Sequence, residues 1–153
     1  GHFQNFPAPS HSLRMNLSHS LNLYYFDQYE TLSDGEQKDF SGNQLTGVPR
    51  NTLNIGVQWD WKDHLYFNGV IQAVGEIPLN DANTVYADAY QNVSIKAGYR
   101  FTIANQLRSD VFVGIRNVLD QKYSLGNDLN AFGGRYFQAA PPRNYYVGWR
   151  FQL

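Results

Sequence analysis

The 153-residue chain contains no cysteine, a single methionine, and no apolar run long enough to cross a membrane as a helix. Without cysteine there is no disulfide framework and no thiolate metal site. A membrane-spanning helix takes ~20 mostly apolar residues, whereas a spanning strand takes only ~9–11 of alternating character, so helical spans are excluded and barrel strands are not. An excess of one charge is missing too: twelve Lys and Arg stand against thirteen Asp and Glu, a formal net charge of −1. Nucleic acid is therefore not an expected partner, since phosphate binding calls for a basic excess or a basic stripe. The opening GHFQNFPAPS lacks the basic start and apolar centre of a secretory leader, so a mature form or an internal fragment is expected.

What is present is aromatic. Eleven Tyr, ten Phe and three Trp alternate with Asn, Gln, Ser and Gly, a composition suited to pleated surfaces. Six strands are predicted, at Ser12 to Gln28, Asn51 to Trp61, His64 to Gly75, Tyr90 to Phe101, Ser109 to Val118 and Asn144 to Leu153. In the second, Leu53, Ile55, Val57, Trp59 and Trp61 oppose Thr52, Asn54, Gly56, Gln58 and Asp60. The fourth sets Val93, Ile95, Ala97, Tyr99 and Phe101 against Asn92, Ser94, Lys96, Gly98 and Arg100, and the last alternates from Tyr145 to Leu153 in the same way. His19 interrupts the apolar face of the first, and Val70, Val74 and Phe112 fall on the polar side of the third and fifth. All six prolines lie outside these spans, as ladder chemistry requires.

The connections discriminate better than the strands. Those around 62–64 and 102–108 are short, whereas 29–50, 76–89 and 119–143 are long and polar, and the two kinds alternate. Antiparallel neighbours joined in this way place every short turn at one end of the sheet and every long loop at the other, as in outer-membrane barrels. Aromatics gather near strand ends, and Lys96, Arg100, Arg116 and Arg150 fall on the face that would line a lumen. The expected fold is thus all-β: an antiparallel transmembrane β-barrel segment of about six long strands, with short periplasmic turns and long extracellular loops. A soluble sandwich or lipocalin-like barrel with uneven loops is the competing architecture.

Four blocks resemble the TonB-dependent receptors of Gram-negative outer membranes, in that family's order: GNQLTGVPRNTLNIGVQW (Gly42 to Trp59), NDAN (Asn80 to Asn83), NVLDQKY (Asn117 to Tyr123) and GGRYFQAAPPRNYYVGWRFQL (Gly133 to Leu153). The first forty residues match only loosely. The ending is similar to the sorting signal read by the barrel assembly machinery, with Tyr146, Gly148, Phe151 and Leu153 at the signal positions, although Leu153 stands where these receptors usually end in an aromatic. Since family barrels have about twenty-two strands and bacterial barrels below about eight are not expected to close, the resemblance implies that residues 1–153 are a C-terminal barrel fragment without the plug domain. It further implies an outer-membrane receptor for active uptake of a scarce large solute such as a ferric siderophore, vitamin B12 or an oligosaccharide. Its partners would be lipid, the assembly machinery, TonB through the missing plug, and the solute. A small self-contained outer-membrane or soluble barrel that binds a ligand or has enzymatic activity is the alternative.

No catalytic signature is present, and no cofactor or metal is expected. His2, His11, His19 and His64 have no paired ligand spacing, and no P-loop, nucleophile elbow or zinc motif occurs. Asn80, Asp81, Asn83 and Asp88 offer oxygens suited to calcium, but Asn and Asp are ordinary turn residues and a turn-forming loop is the expected role. Arg135, Tyr136, Phe137 and Arg143 form a candidate substrate-contacting loop, with cations and rings suited to an anionic, aromatic iron chelate; loop packing and interface anchoring are their other reading.

Overall fold

The computed structural model describes residues 10–33, 35–103 and 106–152. The strands are β1 (His11–Leu21), β2 (Glu30–Ser33), β3 (Glu36–Asp39), β4 (Asn51–Trp61), β5 (Leu65–Val74), β6 (Ile77–Pro78), β7 (Tyr86–Ala87), β8 (Tyr90–Ile103), β9 (Leu107–Arg116), β10 (Ser124–Asn127), β11 (Phe137–Ala139) and β12 (Asn144–Gln152). Six of them form one antiparallel sheet in the order β1-β4-β5-β8-β9-β12, and the short ones pair as β2-β3, β6-β7 and β10-β11 within the long loops. Every long strand therefore pairs with the next long strand in sequence, through a short turn for β4-β5 and β8-β9 and across a long loop for the other three pairs.

One strand is shorter than the sequence pattern suggests. β1 ends at Leu21 rather than Gln28. The ladder breaks there because the returning chain turns, Val48 N–H bonding the Leu45 carbonyl at 3.4 Å, so that Tyr24 accepts from Leu45 and not from Val48. Beyond the break the two chains meet only intermittently: Asn22 donates to the Arg50 carbonyl at 2.8 Å, Leu45 to that of Tyr24 at 2.9 Å, and Phe26 to that of Asn43 at 2.9 Å. The short turn after β4 uses left-handed backbone at both Lys62 (φ 46°) and Asp63 (φ 57°), closed by His64 N–H on the Trp61 carbonyl at 3.0 Å.

Register sorts the two faces completely. Leu13, Trp59, Phe67, Ala97, Val113 and Val147 align across all six strands on one face, and Ser12, Asp60, Tyr66, Gly98, Phe112 and Gly148 align on the other. The first face carries no Lys, Arg, Asp or Glu. The second holds six basic residues (Arg14, Lys96, Arg100, Arg108, Arg116, Arg150) and two acidic ones (Asp60, Asp110). The long connections 22–50, 75–89 and 117–143 hold ten acidic and five basic residues, so a chain of nearly zero net charge is polarised into a basic wall and acidic loops.

Neither face of the sheet has a core. Among the described residues the buried hydrophobic ones are Tyr66, Val74, Leu79 and Ala87, whereas Met15, Leu17, Val147, Trp149 and Phe151 are exposed. A soluble sandwich would pack a second sheet on that apolar row, and no such layer exists among the described residues. Instead Trp61, Leu65, Tyr99, Val111 and Trp149 form one row at the short-turn end, with Phe101 and Phe151 beside it. This is the aromatic girdle of a strand that leaves hydrocarbon for water.

Candidate functional site

The three long loops meet at the NDAN turn. The Asp81 carboxylate accepts hydrogen bonds from Tyr29 Oη at 3.2 Å and Thr46 Oγ1 at 2.5 Å, both in the first loop, and from Asn130 Nδ2 at 3.0 Å in the third. Its backbone is also bound: Asp81 N–H donates to Asn130 Oδ1 at 3.0 Å, and its carbonyl accepts from Asn43 Nδ2 at 2.8 Å. Asn83 clamps Gln44 from both sides, accepting its N–H at 2.7 Å and donating to its carbonyl at 3.0 Å, while Asn80 Oδ1 accepts Thr84 N–H at 2.9 Å to hold the turn. Beneath them Leu79 is 0 % exposed, and Leu129 packs where Gly47 leaves room in its left-handed conformation (φ 82°). Asp81 thus serves as an acceptor for protein donors. No group of three metal-ligating side chains occurs among the described residues.

The same contact sets a pH dependence. The Asp81 charge, then its hydrogen bond and then burial, raise the Tyr29 hydroxyl above the ordinary tyrosine value of about 10. Because the protonated phenol is the bound form, the stabilisation is full below the unfolded value and is lost as pH rises through the folded one. Difference absorbance titration of wild type against Tyr29→Phe is expected to show this phenolate forming later than an ordinary tyrosine, and Asp81→Asn is expected to return it toward the ordinary range. An unchanged titration in Asp81→Asn would contradict the contact.

A second polar hub forms the base of the third loop. Asn117, 2 % exposed and left-handed (φ 51°), donates from Nδ2 to the Gln121 carbonyl at 2.9 Å and accepts Gln121 N–H at 3.0 Å. Tyr123 stacks on Tyr90 at 4.3 Å. Arg143 belongs to this base: its N–H reaches Asp120 Oδ1 at 2.9 Å and its guanidinium lies 3.8 Å from Asp120 Oδ2. Arg135, Tyr136 and Phe137 instead sit beyond the β10-β11 pair or on its edge, with Tyr136 and Phe137 edge to face at 6.3 Å. Phe132, which the sequence pattern did not single out, is 99 % exposed in the adjoining 3-10 turn Phe132–Gly134.

On the polar face of the sheet the four predicted cations share one wall, each with a specific neighbour. Arg100 pairs with Asp60 at 3.0 Å and lies 4.3 Å over the Tyr66 ring, whose hydroxyl donates to Asp110 at 3.0 Å. Lys96 sits 3.8 Å over Phe112, and Arg116 sits 5.3 Å over Tyr146. Arg150 is opposite Asp110 in the register and lines, with Arg100 and Arg108, a cleft of about 570 Å³ at the short-turn end. These rings lie flat because glycine stands beside each: a Cβ at Gly98, Gly114 or Gly148 would collide with Tyr66, Tyr146 or Phe112 respectively. Of the ending residues, Tyr146 and Gly148 are on this wall and Phe151 is on the apolar face, while Leu153 lies outside the described residues.

A charge-free apolar face, a basic wall and loops gathered at one end define a segment of a transmembrane β-barrel. The comparisons agree with that architecture. The family model described as "TonB dependent receptor-like, beta-barrel" matches residues 5–118, well over half of the chain, and takes in all but four of the first forty residues. This chain belongs to the TonB-dependent receptor β-barrel family. Among solved structures it is similar to the siderophore receptor PiuA from Acinetobacter baumannii, at 17% identity and TM-score 0.73, covering 91% of this chain and 19% of that one. It is also similar to BauA, the ferric preacinetobactin receptor from the same organism, at 20% identity and TM-score 0.61, covering 72% and 16%. The chain spans less than a fifth of the length of these two receptors.

Proposed function

We propose that residues 1–153 are a C-terminal part of a receptor barrel in a Gram-negative outer membrane, and that the full-length protein takes up a scarce large solute through TonB, which engages a plug domain outside this chain. The observation that carries this reading is the open six-stranded sheet with an uncharged apolar face: β1 and β12 each have one paired edge among the described residues, and lipid tolerates no unpaired edge. More strands must complete the ring. That requirement also disfavours a small self-contained barrel. A ferric siderophore is the favoured solute, because one similar solved structure is by name a siderophore receptor and the other a ferric preacinetobactin receptor, and because Arg135, the half-buried Tyr136 and the exposed Phe137 and Phe132 offer a cation and rings at the loop tip. Lys96, Arg100, Arg116 and Arg150 line the lumen. No step in this function calls for catalysis by the chain.

Deleting the gene is expected to abolish growth on one ferric chelate as sole iron source while other iron sources still support it. Unaffected uptake of every ferric chelate, of vitamin B12 and of oligosaccharides would count against the receptor.

Assembly is a separate part of the reading. The apolar row Val147, Trp149, Phe151 and Leu153 is proposed to be read by the barrel assembly machinery through edge pairing. Phe151→Ser combined with Leu153→Ser is expected to lower the amount of full-length receptor in the outer membrane severalfold, while Gln152→Ser does little. Equal abundance of all three forms would mean that the ending carries no sorting information.

A further inference from the structure

We infer that the apolar face carries, at its loop end, a binding notch for the headgroup of a glycolipid, a lipid whose polar end presents sugar hydroxyls. The inference rests on the reading that this face meets lipid. The row just below the notch is apolar throughout: Leu17, Ile55, Ile71 and Val93. The next row toward the loops is different: His19, Leu53, Ala73 and Gln91 align across β1, β4, β5 and β8. Small residues follow at Gly75 and Ala89, so the surface sinks into a notch of about 560 Å³ bounded also by Asn51 and Gln121.

The polar groups at this notch are presented and not spent. The side-chain amides of Asn51 and Gln91 and the His19 ring make no hydrogen bond to another described residue. Gln121 is held rigidly, its backbone by Asn117 and its Oε1 by Gln91 N–H at 2.7 Å, which leaves its NH2 group for a ligand. Three amides and an imidazole, with no Lys or Arg among the lining residues, match sugar hydroxyls, which both donate and accept, better than they match a bare phosphate, which asks for cations. Glu76 and Asp88, the chain neighbours of Gly75 and Ala89, point the same way, since added negative charge disfavours an anionic headgroup.

The occupant is a lipid and not a free sugar because of what lies below. Acyl chains attached to the headgroup would run down the uncharged row Leu17, Ile55, Ile71 and Val93, adding apolar contact to a handful of neutral hydrogen bonds. His19, which breaks the alternation of β1, marks the level at which hydrocarbon gives way to headgroups.

The test uses the full-length protein that carries this chain, extracted in mild detergent and offered two lipids with identical dioleoyl chains, one diglucosyl diacylglycerol and the other phosphatidylglycerol. Native mass spectrometry is expected to show about tenfold preferential retention of one diglucosyl lipid, the effect of two or three net hydrogen bonds. Ala73→Leu, which fills the notch with an apolar side chain, and Gln91→Leu are each expected to bring the preference close to unity. Heat-modifiable gel migration confirms that both variants are folded, and if one is not, the other carries the test. No preference in wild type, or an undiminished preference in folded variants, would overturn the notch. Saturable competition by free glucose disaccharide at the same concentration would overturn the lipid assignment. Recovery of the protein in aqueous buffer without detergent would instead bring down the membrane reading itself.

Discussion

Gly148→Val in the full-length receptor is expected to cut the folded protein in the outer membrane to a small fraction of wild type, and a second change, Phe112→Ala, is expected to restore most of it. Phe112 lies flat on the wall across Gly148, and three of its ring atoms would stand within 3.0 Å of a Cβ there. Valine adds that Cβ and two methyls. The ring must rotate off its neighbour and leave Lys96, which sits 3.8 Å above it. Overpacking of this kind costs about 1–3 kcal/mol, enough to shift a folding balance by one or two orders of magnitude. Removing the ring vacates the space that the valine needs. Phe112 is the cleanest of the three rings for the purpose, since Tyr66 also donates to Asp110 and its truncation would orphan a carboxylate. Gly148 is also one of the positions at which the ending is similar to a sorting signal, and the pair separates the two roles. If the glycine is read as a signal, Phe112→Ala cannot rescue it. Outer-membrane abundance of the two single variants and the double variant decides between packing and recognition.

Asp81→Ala is expected to release all three long loops together while the sheet stays intact. One carboxylate in the second loop accepts from Tyr29 and Thr46 of the first and Asn130 of the third, so its loss orphans donors in both neighbouring loops. Hydrogen bonds to a charged group contribute ~1.5–3 kcal/mol each, but bonds that share one acceptor are not additive, and about 3 kcal/mol of loop docking is expected to disappear. Amide hydrogen exchange should report a loss of protection of roughly a hundredfold at Gly47 and Asn130, whose N–H groups bond the Pro78 and Leu79 carbonyls, with strand amides such as Val57 and Ile95 unchanged. Faster exchange confined to 76–89 would show that the loops dock independently and that Asp81 is a local turn residue only.

The strands and their faces were legible in the sequence because side chains alternate with a period of two, so a strand's own residues state which face each occupies. Five of the six spans are in place within about two residues at the described ends, and Lys96, Arg100, Arg116 and Arg150 share a wall as their parity implies. The short connections likewise fixed the β4-β5 and β8-β9 pairings, since a two- or three-residue turn can only join adjacent antiparallel strands, whereas the pairings across the three long loops took the tertiary structure.

Tertiary structure decided what depends on residues far apart in the chain. Val70 and Phe112 look misplaced within their own strands. They are accommodated because Val70 stands opposite Gly56, and Phe112 stands between Gly98 and Gly148, partners that only the register of neighbouring strands supplies. Asp81 reads locally as a turn residue, and its role as the common acceptor of three loops requires Tyr29 and Asn130, about fifty positions away on either side, to arrive at the same carboxylate. Likewise β1 ended where the returning chain turns out of register and Leu45 replaces Val48 as the partner of Tyr24, a fact of the partner rather than of β1. Periodicity is a property of one segment and can be read from it; close approach, shared acceptors and ladder ends are properties of pairs, and the fold selects the pairs.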